Sequence, residues 1–554
     1  MAVERTSKHS LIRIFQPLFQ RKSLDRLLAQ TADPQRQLRR TLGPWQLMLL
    51  GVGAIVGAGI FSTVGTAAAG GADHLGAGPG LVVSFLMVAV ACGFAGLCYA
   101  EFASMVPVSG SAYTYAYATL GKLVAWLIGW DLILEYAISN AAVAVSWSAY
   151  FQALLAGFGV QIPAWLGCDL RSAIQSGDHL ADALATLAAV PGSLLQPDQF
   201  DLSGLTEVRN RNALALATAP RLAGLPIIFN LPAFGIVAVI TWVVLIGMRA
   251  TARINAGLTL AKLGIIVFFL VVGAMYVRPE NWTPFAPNGF KGISSAAAII
   301  FFAYIGFDAV STAAEETREP QRNMPIGILG SLVVCTVVYV AVAIILTGMA
   351  PWSTLGNAEP LSYVFSSQGL DWIAGLIAVG AVLATTSALV PYQAGQPRIF
   401  FSMARDGLLP AWAAKVHPRF RTPHVSTILT GVVVAVCSSI ANINELVELT
   451  NIGTLFAFAL VALGILILRR TDPNRPRPFR TPLVPWVPLA AIGCCVYLMS
   501  ELPAKTWWRF FLWMAAGLVI FLLYGIRRSG MNSVVNSPDG TAEGQVRSQE
   551  PSNS

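Results

Sequence analysis

The chain has 554 residues, of which 55% are hydrophobic and 12% charged, with a mean hydropathy of +0.64. Soluble globular proteins carry about 25% charged residues, so the composition excludes a soluble enzyme and indicates an integral membrane protein. The net charge of +8 is not a nucleic-acid footprint, because no basic patch interleaved with aromatics lies in a soluble stretch.

Windows of about 20 apolar residues recur about twelve times: 44–70, 79–105, 122–157, 230–249, 254–277, 292–315, 325–349, 371–400, 424–441, 446–468, 483–501 and 507–526. They are numbered here as spans 1 to 12. Residues 1–43 form a polar, basic tail without the pattern of a cleaved signal. LIRIFQPLFQRKSLDRLLAQ within it reads either as an amphipathic helix on the inner membrane surface or as a solvated tail. Basic residues crowd this tail and the loops after spans 8 and 10, and are absent between spans 1 and 2, 7 and 8, and 9 and 10. By the positive-inside rule both termini are cytoplasmic.

Span 1 contains GVGAIVGAGIF, in which Gly51, Gly53, Gly57 and Gly59 break an otherwise apolar helix. A spanning helix must satisfy its own backbone, so such a break implies main chain exposed to a ligand or cavity. Close helix packing is the alternative. In span 3, Asp131 and Glu135 stand four residues apart on one face, continued by Ser139. Such carboxylates must face protein or a cavity, where Glu135 would attract a cationic side chain or pair with a neighbouring helix. Between 157 and 229 lies an extracytoplasmic insertion, read as a cap or a spacer. Lys262 sits inside span 5, and snorkelling to the interface is the plain reading.

Span 6, IIFFAYIGFDAVSTAAEE, is interrupted at Gly306 and carries Asp308. Two broken helices five spans apart match an inverted-repeat transporter with a midplane site. Amides at one half-helix start would meet a carboxylate and carbonyls of the other an ammonium, a geometry suited to an α-amino acid. Glu101, Arg398 and other charges at cytoplasmic helix ends read as a closing ion-pair gate or as caps and anchors. The segment 529–554 reads as a disordered cytoplasmic tail. The seven cysteines show no ligand spacing, and no dinucleotide, Walker, zinc-protease or nucleophile-elbow motif occurs, so neither an enzyme nor a metal site is expected.

The runs Leu97–Ile138, Phe301–Ile328 and Gln396–Pro410 resemble the amino acid-polyamine-organocation transporters, most of all their cationic amino acid branch. That resemblance implies an all-α, LeuT-like fold. Ten helices in a five-plus-five inverted repeat would occupy 44–468, with spans 1 and 6 discontinuous and two helices appended over 469–528. It implies secondary active amino acid transport in the bacterial inner membrane, by proton symport or by exchange against an amine. The substrates expected are arginine, lysine and ornithine, or small neutral amino acids such as alanine. No cofactor is expected beyond a proton as coupling ion, and an accessory membrane subunit or oligomer stays open, as does a non-transporting receptor.

Carried over by residue, amides at Ile55, Val56, Gly57, Ala58 and Gly59 would hold the substrate carboxylate, with Ala58 where many relatives have a hydroxyl. Carbonyls of Phe302, Ala303 and Ile305 would hold the ammonium. Tyr304 or Phe307 would gate the site, unless both are packing aromatics. Lys262 would stand where sodium-coupled relatives hold their ion, beside the first-span carbonyls and the hydroxyls of Thr385, Thr386 or Ser387.

Overall fold

The computed structural model of the protein describes residues 21, 42–71, 74–106, 111–176, 207–223, 225–246, 252–418, 420 and 422–525. The expectations for the two tails and for the middle of the insertion fall outside them.

The described chain is helical almost throughout. Its main helices are α1 (Pro44–Ile55), α2 (Val64–Ala69), α3 (Leu81–Met105), α4 (Ser111–Thr119), α5 (Lys122–Gly157), α6 (Ala164–Gly167), α7 (Glu207–Thr218), α8 (Leu231–Leu245) and α9 (Ala252–Gly273). There follow α10 (Gly289–Ile300), α11 (Pro320–Met349), α12 (Pro360–Ser366), α13 (Asp371–Arg405), α14 (His424–Ile440), α15 (Ile443–Thr471), α16 (Trp486–Ser500) and α17 (Ala504–Ile520). The strands β1 (Arg221–Leu222) and β2 (Leu225–Pro226) form a small antiparallel ladder inside the insertion. Among the described residues, seven helices are long and apolar enough to cross a membrane, and the bent pair around residues 56–58 makes an eighth. Four shorter apolar helices accompany them, α8, α14, α16 and the segment Gly289–Tyr304.

The helix starts are legible in the chain. Pro44 opens α1, whose entering Gly43 N–H donates to Gln46 Oε1 at 2.7 Å. Asn230 Oδ1 accepts from Ala233 N at 3.2 Å to cap α8, and Asn442 Oδ1 accepts from Asn444 N at 2.8 Å at the head of α15. Arg469 and Arg470 in the last turn of α15 complement its dipole.

In lipid, helices associate through packing and hydrogen bonds rather than through apolar burial from water. The helix buried on most sides is therefore the scaffold. That helix is α5, 83% of whose apolar window is buried, against 28% for α9 and 22% for α17. α5 lies along α13 and α15, while α1 and α3 pack on α11. α17 is held on α5 by a stack of Trp126, Trp130 and Trp513, with centroids 5.9 and 4.5 Å apart. Trp126 Nε1 donates to Gly517 O at 2.8 Å and Trp130 Nε1 to Trp513 O at 2.9 Å.

Glu101 does not face Arg398. It is buried at the end of α3, where both carboxylate oxygens accept from Arg469, at 2.9 and 2.8 Å. Arg477 Nε lies 3.2 Å away and Thr481 N donates at 2.8 Å. The cluster fastens the segment leading to α16 onto the core. Arg398 is exposed on α13, and no ion pair joins it to another described residue.

The described ends of the insertion are clipped to the opposite end of the bundle. Gln152 Nε2 donates to Gly167 O at 2.8 Å, Asn442 Nδ2 to Ser172 Oγ at 2.7 Å, and Arg171 forks onto Glu445 at 3.2 and 2.7 Å. A satellite core of Cys168, Ala173, Ala215, Ala219 and Ile228 backs these clips. Asp169 is buried here with Oδ1 accepting from Ser172 N at 2.7 Å. Burial pushes its carboxyl up to about 7, the Ser172 bonds opposing and the Glu445 charge adding. A raised acid contributes stability that is full below its unfolded value near 4 and is lost as pH rises through about 7. Exchange protection in 164–176, corrected for intrinsic exchange rates, should therefore fall between about pH 4 and pH 7. Asp169→Asn, which keeps an acceptor for Ser172 N–H, should flatten that dependence; an unchanged profile would show that Asp169 does not titrate in this range.

Candidate functional site

The first broken segment bends by 45° between Pro44–Ile55 and Gly59–Ala69. α1 ends at Ile55, Val56 and Gly57 leave the helix, and a π-helical turn Gly59–Thr63 leads into α2. The second broken segment runs through α10, a 3₁₀ turn Phe301–Tyr304, an open turn at Ile305–Phe307 and a 3₁₀ stretch Asp308–Glu316. Nine residues are long for a 3₁₀ helix, so this half is overwound where a continuous α-helix would be expected.

The two breaks touch at main-chain distance. A methyl group on Gly59 would lie 2.3 Å from Ala303 Cα. Gly306, at φ +122°, approaches so closely that a methyl would lie 2.8 Å from the Ala54 carbonyl carbon. Both positions therefore require glycine. Gly51 and Gly53 serve ordinary close packing, against Ser331 and Thr259, whereas Gly57 meets only Ala388 Cβ, at 3.4 Å. The glycine run thus divides between the two readings of it. Gly59→Val should abolish the function of the site, since overpacking of this kind costs about 1–3 kcal/mol and must part the breaks; ligand binding by a monodisperse variant at unchanged affinity would refute the contact's role.

Backbone accounting decides which groups are free. Val56 N donates to Val52 O at 2.8 Å, and Ile55 closes α1, so their amides are committed to the first half-helix. That removes two of the five amides expected to meet a carboxylate. Gly57, Ala58 and Gly59 open the following half, where N–H groups lack preceding carbonyls. On the carbonyl side, Lys262 Nζ donates to Gly53 O at 2.9 Å and to Val56 O at 3.1 Å. Tyr339 Oη on α11 lies 3.0 Å from both Ile55 O and Ala303 O, and so bridges the two breaks. Phe302 O accepts from Ile305 N at 3.3 Å. Of the three carbonyls expected to meet an ammonium, Ala303 and Phe302 therefore already have donors, and Ile305 lies in the open turn.

Lys262 is buried beside the first break, so it does not snorkel. The hydroxyls expected beside it each donate within their own helix. Thr385 donates to Ala381 O at 2.7 Å, Thr386 to Val382 O at 2.7 Å, and Ser387 to Ala384 O at 2.8 Å, all within α13. Thr386 also accepts from Trp147 Nε1 at 2.8 Å.

Tyr304 packs its ring on Tyr339, with centroids 5.5 Å apart, and its hydroxyl lies 3.3 Å from Phe85 O and 3.2 Å from Thr336 Oγ1. Phe307 packs against Tyr99 and Phe458, with centroids at 5.8 and 4.9 Å. Asp308 is buried at the head of the 3₁₀ stretch, and its carbonyl accepts from Ser311 Oγ at 2.5 Å. Asp131, Glu135 and Ser139 form one buried file on α5, and both oxygens of Asp131, Oε2 of Glu135 and Oγ of Ser139 lack partners among the described residues.

Two site residues carried no sequence signal of their own. Tyr339 lies in the apolar run CTVVYVAVAII, and Asn451, whose Nδ2 donates to Ala298 O at 2.7 Å and Ile299 O at 3.0 Å, lies in α15. The only available clue was that a polar group inside a spanning helix must find a partner.

Residues 42–523 match the family described as amino acid permease. The chain is 42% identical over 515 residues to the methylthioribose transporter of Bacillus subtilis (strain 168), covering 93% of this chain and 99% of that protein. It is 43% identical over 516 residues to the branched-chain amino acid permease BcaP of the same organism, with the same coverage. Cationic amino acid transporter 9, chloroplastic, of Arabidopsis thaliana is 37% identical over 439 residues, 78% of this chain and 67% of that protein. The chain is thus a multi-pass membrane protein and belongs to the amino acid permease family, within the amino acid-polyamine-organocation superfamily.

Proposed function

We propose that the protein imports L-amino acids together with protons across the cytoplasmic membrane, by alternating access around the paired breaks. The observation that carries this reading is the position of Lys262. A buried ammonium bridges Gly53 O and Val56 O at the end of one half-helix, and the amides of Gly57, Ala58 and Gly59 open the next. A substrate carboxylate fits those amides, and Ile305 in the open turn, with Phe302 and Ala303 once their present donors move, would receive the ammonium. We further read the eight long or bent crossings and four shorter apolar helices as twelve spans in a LeuT-like five-plus-five repeat, with the termini cytoplasmic and the insertion outside.

For the side chain we favour aliphatic amino acids. Gly57 faces the Ala388 methyl beside the amides, an apolar neighbour for a side chain, and a relative at 43% identity is named for branched-chain substrates. The unpartnered Oε2 of Glu135 favours a second reading, a cationic side chain reaching toward α5. Purified protein in liposomes should accumulate labelled L-leucine or L-alanine under an inward proton gradient and release it on addition of a protonophore. A preference for L-arginine or L-lysine would select the second reading. Uptake of none of the four would overturn amino acid transport.

A further inference from the structure

At the insertion end of the bundle lies a cavity of about 180 Å³ that is separate from the two breaks. Its wall is assembled from distant parts of the chain, including Thr66 of α2, Asp169 and Asn212 of the insertion, Asn357 and Glu359 before α12, and Asn444 of α15. Asn357 is 3% exposed, yet its Oδ1 has no partner among the described residues. A buried amide oxygen left unmade is costly, and this one borders the cavity. Among the described residues the lining holds two acidic side chains, Asp169 and Glu359, and no basic one; nearby Arg171 is forked onto Glu445. Such a wall disfavours anions and receives an ammonium.

The cavity also stands in line with the paired breaks. Thr66 lies two helical turns, roughly 10 Å, beyond Gly59 on the same half-helix. Between them is a hydrogen-bonded plug. Ser62 Oγ is 2.5 Å from Ser146 Oγ and from Ala358 O, and Tyr150 donates to Phe61 O at 2.5 Å.

We propose that this cavity is a second, outer amino acid site, which holds the substrate by its ammonium before the plug opens. The proposal rests on the transport reading above. At this size the cavity suits an amino acid rather than the larger ligands that fill pockets of about 300 Å³ or more. Its chemistry differs from that of the inner site: the Asn357 amide oxygen and the acidic wall would receive the ammonium, whereas the first break would present its amides to the carboxylate.

Equilibrium binding of labelled L-leucine to the purified chain, with L-arginine in parallel, tests the inference. Two molecules should bind per chain. 3-Methylbutylamine, which lacks the carboxylate, should displace one of them, and 4-methylpentanoate, which lacks the ammonium, should not displace that one. Asn357→Ala should bind a single molecule and raise the KM for uptake about 2- to 10-fold without changing the maximal rate; the retained molecule shows that the variant is folded. Asp169→Asn, which preserves the Ser172 bond, should behave alike and carries the test if Asn357→Ala does not fold. One molecule per chain in the unmodified protein, or two in both variants, would overturn the outer site while leaving transport standing. No binding by any of these proteins would overturn the transport reading and the outer site with it.

Discussion

Replacing Lys262 by methionine is expected to abolish proton-driven accumulation of substrate. The methionine thioether fills much of the same space but donates nothing, so Gly53 O and Val56 O lose the donor that now lies at 2.9 and 3.1 Å. Hydrogen bonds to a charged group are worth about 1.5–3 kcal/mol, which corresponds to at least a tenfold loss in any step that depends on them. A lysine that merely filled the break would also cost stability when replaced, so activity alone does not decide its role. The deciding readout is the pH profile of counterflow, an exchange that needs no net proton movement. If Lys262 couples transport to protons, Lys262→Met retains counterflow at a rate independent of external pH while losing gradient-driven uptake. If residual uptake still follows the proton gradient as in the unmodified protein, the lysine is structural and the coupling group lies elsewhere.

Glu101→Ala should produce the largest loss of stability of any single change outside the breaks. The carboxylate is fully buried and receives Arg469 in a fork, Arg477 and the Thr481 amide. Breaking a buried pair from one side costs about 3–5 kcal/mol, because the remaining cations keep their desolvation without their partner. Here two guanidinium groups would remain, and Arg477 is itself only 8% exposed. The segment from Thr471 to α16 should loosen, and detergent-solubilised protein should lose its monodisperse peak at a lower temperature than Lys262→Met does. Glu101→Gln, which retains an acceptor, should fall between the two. A Glu101→Ala variant as heat-stable as the unmodified protein would show that the clamp contributes nothing to holding the last two helices.

Much of this arrangement was legible in the chain, because the constraints that shape it are strong. A glycine cluster or a charged group inside an apolar run is costly in lipid, so GVGAIVGAGIF, Gly306 and Lys262 each marked a place to examine, and Gly59, Gly306 and Lys262 lie at the two breaks. The partners were less legible. Thr385, Thr386 and Ser387 sit at the right height in α13, but a hydroxyl in a helix can satisfy itself on the carbonyl a turn earlier, and all three do so. Glu101 reads in sequence as a charge at a helix end; that Arg469 and Arg477 converge on it depends on how the segment after α15 folds back. Tyr339 is one hydroxyl in a long apolar stretch, and only the apposition of Ile55 O and Ala303 O reveals its use.

The reciprocal glycine contacts have a mechanical consequence. Gly59 presses on Ala303 and Gly306 presses on Ala54, each at a distance where backbone meets backbone. Further along, Leu42 at the head of α1 is stitched to Glu316 and Arg318 by two main-chain bonds, of 3.0 and 2.9 Å. Side chains can swing aside to let neighbours slide, but interlocked main chain cannot. The two interrupted segments are therefore meshed like a single gear wheel, and in the transport cycle proposed above they would turn together against α5 and α13.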